Sequence, residues 1–158
     1  MKLAIGSDKS GFSLKEAIKT YLAERGIQAD DLGTLDPERA KPYFEVASTI
    51  APMVQNGTYD RAILICGTGM GMAVVANKYQ GVYAAVCEST YAAEKCRAIN
   101  DANILTMGGW IIGEQLGCTM AERFLDTQFT QGLEEWRCEF LTSAREKVKQ
   151  LETDIYQK

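Results

Sequence analysis

The chain has 158 residues, 46% hydrophobic and 24% charged, with a net charge of −4 and no block of Lys or Arg, which suits one globular domain and speaks against nucleic acid as a partner. No apolar segment approaches the ~20 residues of a membrane span. The five cysteines are scattered without a C-x-x-C, and the chain contains no histidine, which removes imidazole-dependent hydrolysis and argues against a disulfide frame or a metal centre.

In chain order, Lys2 to Gly6 predicts a short apolar strand, and Ser7 to Gly11 a polar loop at its carboxyl end. Ser13-Leu14-Lys15-Glu16 fits a capping box, and Leu14, Ala17, Ile18, Tyr21 and Leu22 fall on one face of a helix that Gly26 would close. Ile27 to Leu32 predicts a second strand, so the chain opens with a β-α-β unit of parallel strands. Asp36 to Pro42 reads as a polar linker. Tyr43 to Gln55 carries Val46, Ala47, Ile50, Ala51 and Val54 at helical spacing, ended by Asn56-Gly57.

The stretch Asp60 to Lys78 is the most informative. Ala62 to Ile65 has the continuous apolar character of a strand buried on both faces, and Cys66 follows at once with Gly67, Gly69 and Gly71. Glycines at alternate positions let the backbone turn tightly and aim N–H groups inward, while Met70 to Lys78 begins a helix. A thiol ringed by amide donors at the end of a central strand is the setting in which cysteine serves as a base. The plainer alternative is a small buried hydrophobe. Position sets the chemical reading level with the plain one, because open α/β sheets hold their ligands where the carboxyl ends of the strands meet the loops.

Val82 to Cys87, Thr90 to Ile99, Asn103 to Met107 and Gly113 to Leu125 continue the alternation as strand, helix, strand and helix. The fold class is therefore α/β: a Rossmann-like, doubly wound three-layer sandwich on a five-stranded parallel sheet. Beyond Gly132 a long helix is expected, with Trp136, Phe140, Ala144, Val148, Leu151 and Ile155 along one stripe. It is longer than such a sheet needs, so residues 133–156 are expected to form an arm on a second subunit, within a single domain spanning 1–158. Because Met1-Lys2 runs directly into strand-like sequence, a cytoplasmic location is expected.

With the loops placed, Gly6-Ser7-Asp8, Ile63 to Gly71 (ILICGTGMG), Ala76-Asn77-Lys78, Asn100 to Asn103 (NDAN) and Ile111-Ile112-Gly113 together resemble the ribose-5-phosphate isomerase B and galactose-6-phosphate isomerase family. The resemblance implies a cofactor-free, metal-free aldose-ketose isomerase of a sugar phosphate, working through a cis-enediol as a homodimer or homotetramer with interfacial active sites. It implies that Cys66 moves a proton between C1 and C2, that Thr68 sits beside the reacting oxygens, and that the loop Gly67, Gly69, Met70 and Gly71 holds the enediolate. It further implies substrate contacts from Asp8, Tyr43, Asn77 and Asn100. Simpler roles exist for three of these: Asp8 as a helix cap, Thr68 as a loop tie and Asn77 as a turn closer.

The chain departs from the family pattern at informative positions. Lys9 and Ile99 stand where the family commonly has histidines, the second being the one assigned to ring opening; Trp110 and Leu133 stand where phosphate-binding arginines are common, and Arg137 remains. An apolar Ile99 cannot shuttle protons between a ring oxygen and an anomeric hydroxyl. Either another group opens the ring or the substrate has none to open; the second is the expectation taken, a sugar such as D-erythrulose 4-phosphate or D-erythrose 4-phosphate, with Trp110 narrowing the pocket and Lys9 and Arg137 holding the phosphate. Ribose 5-phosphate or galactose 6-phosphate isomerisation, a non-catalytic sugar-phosphate binder and a nucleotide-binding module are the competing readings. The last would use Asp30 or Asp31 at the end of the second strand.

Overall fold

Five strands pair in parallel into one sheet of order β2-β1-β3-β5-β4: β1 (Leu3–Ser7), β2 (Ala29–Asp31), β3 (Arg61–Cys66), β4 (Ala84–Val86) and β5 (Ile104–Gly108). The computed structural model describes residues 1–157. Every residue of β1, β3 and β5 is buried, as the apolar runs require of strands covered on both faces. The edge strands β2 and β4 are three residues each, shorter than the apolar runs suggest, since an edge strand pairs on one side only.

Helices α1 (Phe12–Glu24), α4 (Thr90–Ala98) and α5 (Glu114–Asp126) cover one face, packing Leu14, Ile18, Leu22, Met120 and Phe124 onto Ile5, Ile63, Ile65 and Leu105. Helices α2 (Tyr43–Gln55) and α3 (Met70–Ala76) cover the other, packing Val46, Ile50 and Met72 onto Ala4, Ala62 and Leu64. The expected three-layer α/β architecture is present. A short 3₁₀ turn, Pro37–Arg39, stands in the linker, capped by Asp36.

Two local expectations give way. The capping box at Ser13 does not form: α1 begins at Phe12 with Gly11 as its N-cap, and the Ser13 hydroxyl reaches Glu114 instead, at 3.4 Å. Ser13 therefore stands one residue inside the helix, where it cannot cap it. Asp30 and Asp31 are engaged within the fold, Asp30 accepting from the Tyr59 hydroxyl at 2.8 Å and Asp31 pairing with Lys15 at 2.6 Å and Lys19 at 2.7 Å.

The last helix, α6 (Glu135–Tyr156), has 22 residues and buries none of them. It is tied to the body by polar bonds: Arg145 to Asp101 at 2.8 Å, and Glu152 accepting from the Gly81 amide at 2.8 Å and the Tyr83 hydroxyl at 2.9 Å. Its apolar stripe stays open, with Trp136, Phe140, Leu151 and Ile155 each about 60% exposed. Among the described residues no helix is long and apolar enough to cross a membrane.

Candidate active site

The order β2-β1-β3-β5-β4 makes the three central strands β1, β3 and β5 neighbours, so their carboxyl ends open onto one crevice. Backbone bonds stitch the loops together there. The Asp8 amide donates to the Ile65 carbonyl at 3.2 Å, the Gly109 amide to the Cys66 carbonyl at 2.7 Å, and the Trp110 amide to the Gly67 carbonyl at 3.0 Å.

A cavity of about 280 Å³ results. The loop after β1 contributes Asp8 and Ser10, the first turn of α2 contributes Tyr43, the glycine loop contributes Cys66, Gly67, Thr68 and Gly71, and the loop after β5 contributes Trp110. Cys66 is 5% exposed, and its Sγ accepts a hydrogen bond from the Gly69 amide at 3.2 Å. Such a donor stabilises sulfur whenever it carries negative charge. Gly69 holds φ +77°, and its Cα hydrogens face the Met107 backbone so closely that a Cβ would lie 2.8 Å from the Met107 carbonyl carbon. The left-handed turn there is what directs the amide at the sulfur.

Two aromatic rings lean on the loop where side chains are missing. A Cβ on Gly67 would lie 2.8 Å from the Trp110 indole, and one on Gly71 would lie 2.7 Å from the Tyr43 ring. Trp110 remains 75% exposed although its indole lies against Gly67, so it forms a rim and not a core contact. The Thr68 hydroxyl accepts from the Met70 amide at 3.4 Å, at the start of α3.

On the loop after β1, Asp8 Oδ1 accepts from the Gly11 amide at 3.0 Å. Burial raises the Asp8 carboxyl above the ordinary carboxylate range, against the pull of the Gly11 and Ser10 amides. Helix-capping of the ordinary kind is not its role, because its bond goes to the N-cap residue of α1. Among the described residues no cluster of three His, Cys, Asp or Glu side chains is placed to hold a metal ion.

Of the residues expected at the site, Cys66, Thr68, Asp8, Tyr43, Gly67, Gly71 and Trp110 line the cavity, and Gly69 supplies the donor to sulfur. Others lie elsewhere on the same chain. The Asn77 side chain bonds β4, donating to the Ala84 carbonyl at 2.9 Å and accepting from the Ala84 amide at 2.8 Å, and is not among the residues lining this cavity. Met70 projects to the surface, 53% exposed, at the start of α3. Lys9 is exposed and 3.8 Å from Glu38. Asn100 lines a separate, largely apolar cavity with Ile99, Leu141 and Val148, and Arg137 is exposed on α6. Ser10 was not singled out by motif; its place in the loop next to Asp8 was the available signal.

Comparison with known proteins bears on this arrangement. Residues 3–141 match the family model described as Ribose/Galactose Isomerase. The 4-deoxy-4-sulfo-D-erythrose isomerase of Clostridium sp. (strain MSTE9) is 68% identical over 158 residues, 100% of this chain and 99% of that protein. The D-erythrulose-4-phosphate isomerase of Pectobacterium atrosepticum is 38% identical over 133 residues, 84% of this chain and 87% of that one. Among solved structures, ribose-5-phosphate isomerase B of Clostridium thermocellum superposes with a TM-score of 0.87 at 35% identity, covering 98% of this chain and 99% of that one. The fold, the glycine loop with its thiol and these matches agree: the chain belongs to the ribose/galactose isomerase family and is an aldose-ketose isomerase of the sugar-phosphate class.

Proposed function

We propose that the protein interconverts 4-deoxy-4-sulfo-D-erythrose and the corresponding 2-ketose, with Cys66 moving hydrogen between C1 and C2. The observation that carries the substrate is the 68% identity, over the whole chain, to a relative named for that sugar. The chemistry of the chain agrees. A tetrose whose C4 bears sulfur in place of a hydroxyl has no oxygen with which to close a five-membered hemiacetal, so no group is needed to open a ring. Ile99, where the family resemblance places the ring-opening residue, and the absence of any histidine suit such a substrate.

A sulfonate carries one negative charge where a phosphate ester carries nearly two, so either head group calls for cations. Lys9, between Asp8 and Ser10 on the loop after β1, and Arg137, carried by α6 of a second subunit, are the cations assigned to the head group. That assignment goes with a homodimer or homotetramer in which residues 133–156 form the arm, each subunit being a single domain over 1–158. Asn100 would reach the cavity by the same route. The exposed stripe of α6 and the distance of these residues from their own chain's cavity lining support it. A cytoplasmic metabolic enzyme is the setting these features fit.

In the reaction, Cys66 as thiolate takes the hydrogen from C2 of the aldose. Negative charge moves to O1, where the amides of the glycine loop stabilise it, each well-aimed donor contributing roughly 3 to 4 kcal/mol. The thiol then returns the hydrogen to C1. A four-carbon sugar phosphate is the second reading, favoured by the relative from Pectobacterium atrosepticum.

Steady-state kinetics on the tetrose sulfonate, D-erythrose 4-phosphate and ribose 5-phosphate, without added metal, test the proposal. The expected order of kcat/KM puts the sulfonate at least about tenfold above either phosphate, a difference of about 1.4 kcal/mol in transition-state binding. A phosphate preferred to the sulfonate would overturn the substrate, and no turnover of any sugar would favour a binder.

A further inference from the structure

Moving one hydrogen between C1 and C2 does not complete an aldose-ketose isomerisation. A proton must also leave the hydroxyl on O2 and arrive on O1, and Cys66 cannot perform both transfers while it holds the carbon-bound hydrogen. With no imidazole in the chain, a second group in the same cavity must accept and donate. We propose that Asp8 is that group, a second catalytic residue that carries the proton between O2 and O1 while Cys66 serves the carbons.

The argument rests on placement. Strands β1 and β3 pair in parallel with Ser7 opposite Ile65, so Asp8 and Cys66, each the next residue along, continue that register on neighbouring strands whose backbones run roughly 5 Å apart. The Asp8 amide bonds the Ile65 carbonyl at 3.2 Å, which fixes that register past the end of the strand. Both side chains line the same cavity. Carbon and oxygen chemistry on two adjacent atoms calls for two groups that reach one cavity, as these two do. The Gly11 amide holds Asp8 Oδ1 at 3.0 Å, so the carboxyl has a fixed orientation.

The other candidates are weaker. Ser10 and Thr68 are hydroxyls, which relay a proton but do not store one. Tyr43 meets the loop with its ring carbons against Gly71. Asp8 is the one carboxyl in the cavity lining, and so, besides Cys66, the one group there that can both store and give back a proton.

The steps balance. Thiolate Cys66 removes the C2 hydrogen, and the electron pair forms the C1–C2 double bond as the C1 carbonyl becomes an oxyanion. Neutral Asp8 protonates O1, giving the enediol. The Asp8 carboxylate then removes the proton from O2, the electrons form the C2 carbonyl, and C1 takes the hydrogen from the Cys66 thiol. Both residues end as they began.

The inference rests on the isomerase reading and is tested separately from its substrate. Asp8→Asn keeps the shape and an acceptor for Gly11 but cannot carry the proton. In deuterium oxide, deuterium entering C2 of recovered aldose reports the Cys66 step, and ketose formed reports the whole reaction. The variant is expected to lose ketose formation by about 100-fold, with KM within a few fold, while the ratio of exchange to ketose rises at least about tenfold. Cys66→Ala abolishes both. If Asp8→Asn loses exchange and ketose in proportion, or retains wild-type ketose formation, the proposal fails. Should Asp8→Asn not fold, judged by thermal melting, Asp8→Ser is read in the same way. Wild type that turns over no tetrose would defeat the substrate reading alone, and the same ratio is then measured on ribose 5-phosphate.

Discussion

Replacing Gly69 with alanine separates backbone strain from crowding at the amide that faces the sulfur. Gly69 and Gly57 both hold φ +77°, but a Cβ on Gly57 meets nothing within 4 Å, whereas one on Gly69 lies 2.8 to 3.0 Å from the carbonyl carbon, nitrogen and oxygen of Met107. The left-handed conformation costs an alanine about 1 to 2 kcal/mol at either position. At Gly69, overpacking against backbone that cannot swing aside adds about 1 to 3 kcal/mol. Urea unfolding at pH 7 and one protein concentration is therefore expected to give a loss of about 1 to 2 kcal/mol for Gly57→Ala and about 2 to 5 kcal/mol for Gly69→Ala. Because the Gly69 amide donates to Cys66 Sγ at 3.2 Å, a shift of the loop also removes an aimed donor, and kcat should fall on the order of 100-fold in Gly69→Ala alone. Equal stabilities within about 0.5 kcal/mol and undiminished activity would refute the reasoning.

Three further outcomes follow from other parts of the molecule. The Lys15 side chain is fully buried against Asp31 at 2.6 Å, and Asp31→Ala should cost about 3 kcal/mol at pH 7, since the ammonium would keep only Glu16 and the Thr34 carbonyl. Burial alone would raise the Asp31 carboxyl, but hydrogen bonds from Lys15 and Lys19 outweigh it and hold it below its ordinary range. Its contribution is therefore complete above the unfolded value of about 3.9 and is lost as pH falls through the lower folded value, so the gap between urea midpoints of wild type and variant should narrow as the pH is taken down through that acid range; a constant gap would contradict this. Phe140→Glu with Trp136→Glu on the open stripe of α6 should shift sedimentation toward monomer and cut activity, and unchanged sedimentation would remove the arm from the assembly. Ile99→His should raise kcat/KM for ribose 5-phosphate at least about tenfold relative to wild type, and no gain would detach Ile99 from substrate choice.

The central strands and the thiol loop were legible because their signals are local. An apolar run flanked by glycines marks β3, and α2 falls on Tyr43–Gln55 as its spacing requires. Pairing limits were not legible, so β2 and β4 come out shorter than their apolar runs. Lys15 sits on the buried face of α1 because Asp31, sixteen residues away, accepts its charge, and no periodicity reveals such a partner. The same holds for Asn77, whose clamp on Ala84 depends on how β4 returns beside α3. Trp110 could be placed near the site by motif order, but its rest against Gly67 follows from the bond between the Trp110 amide and the Gly67 carbonyl across neighbouring loops.

The sulfur of Cys66 is the centre of the account, and the direct measurement is isomerase turnover of Cys66→Ala beside wild type on the tetrose sulfonate, with chelator present and binding of the substrate checked by thermal shift. The account expects folded protein that still binds the sugar and turns it over at least about 1,000-fold more slowly. Turnover within a few fold of wild type would contradict it.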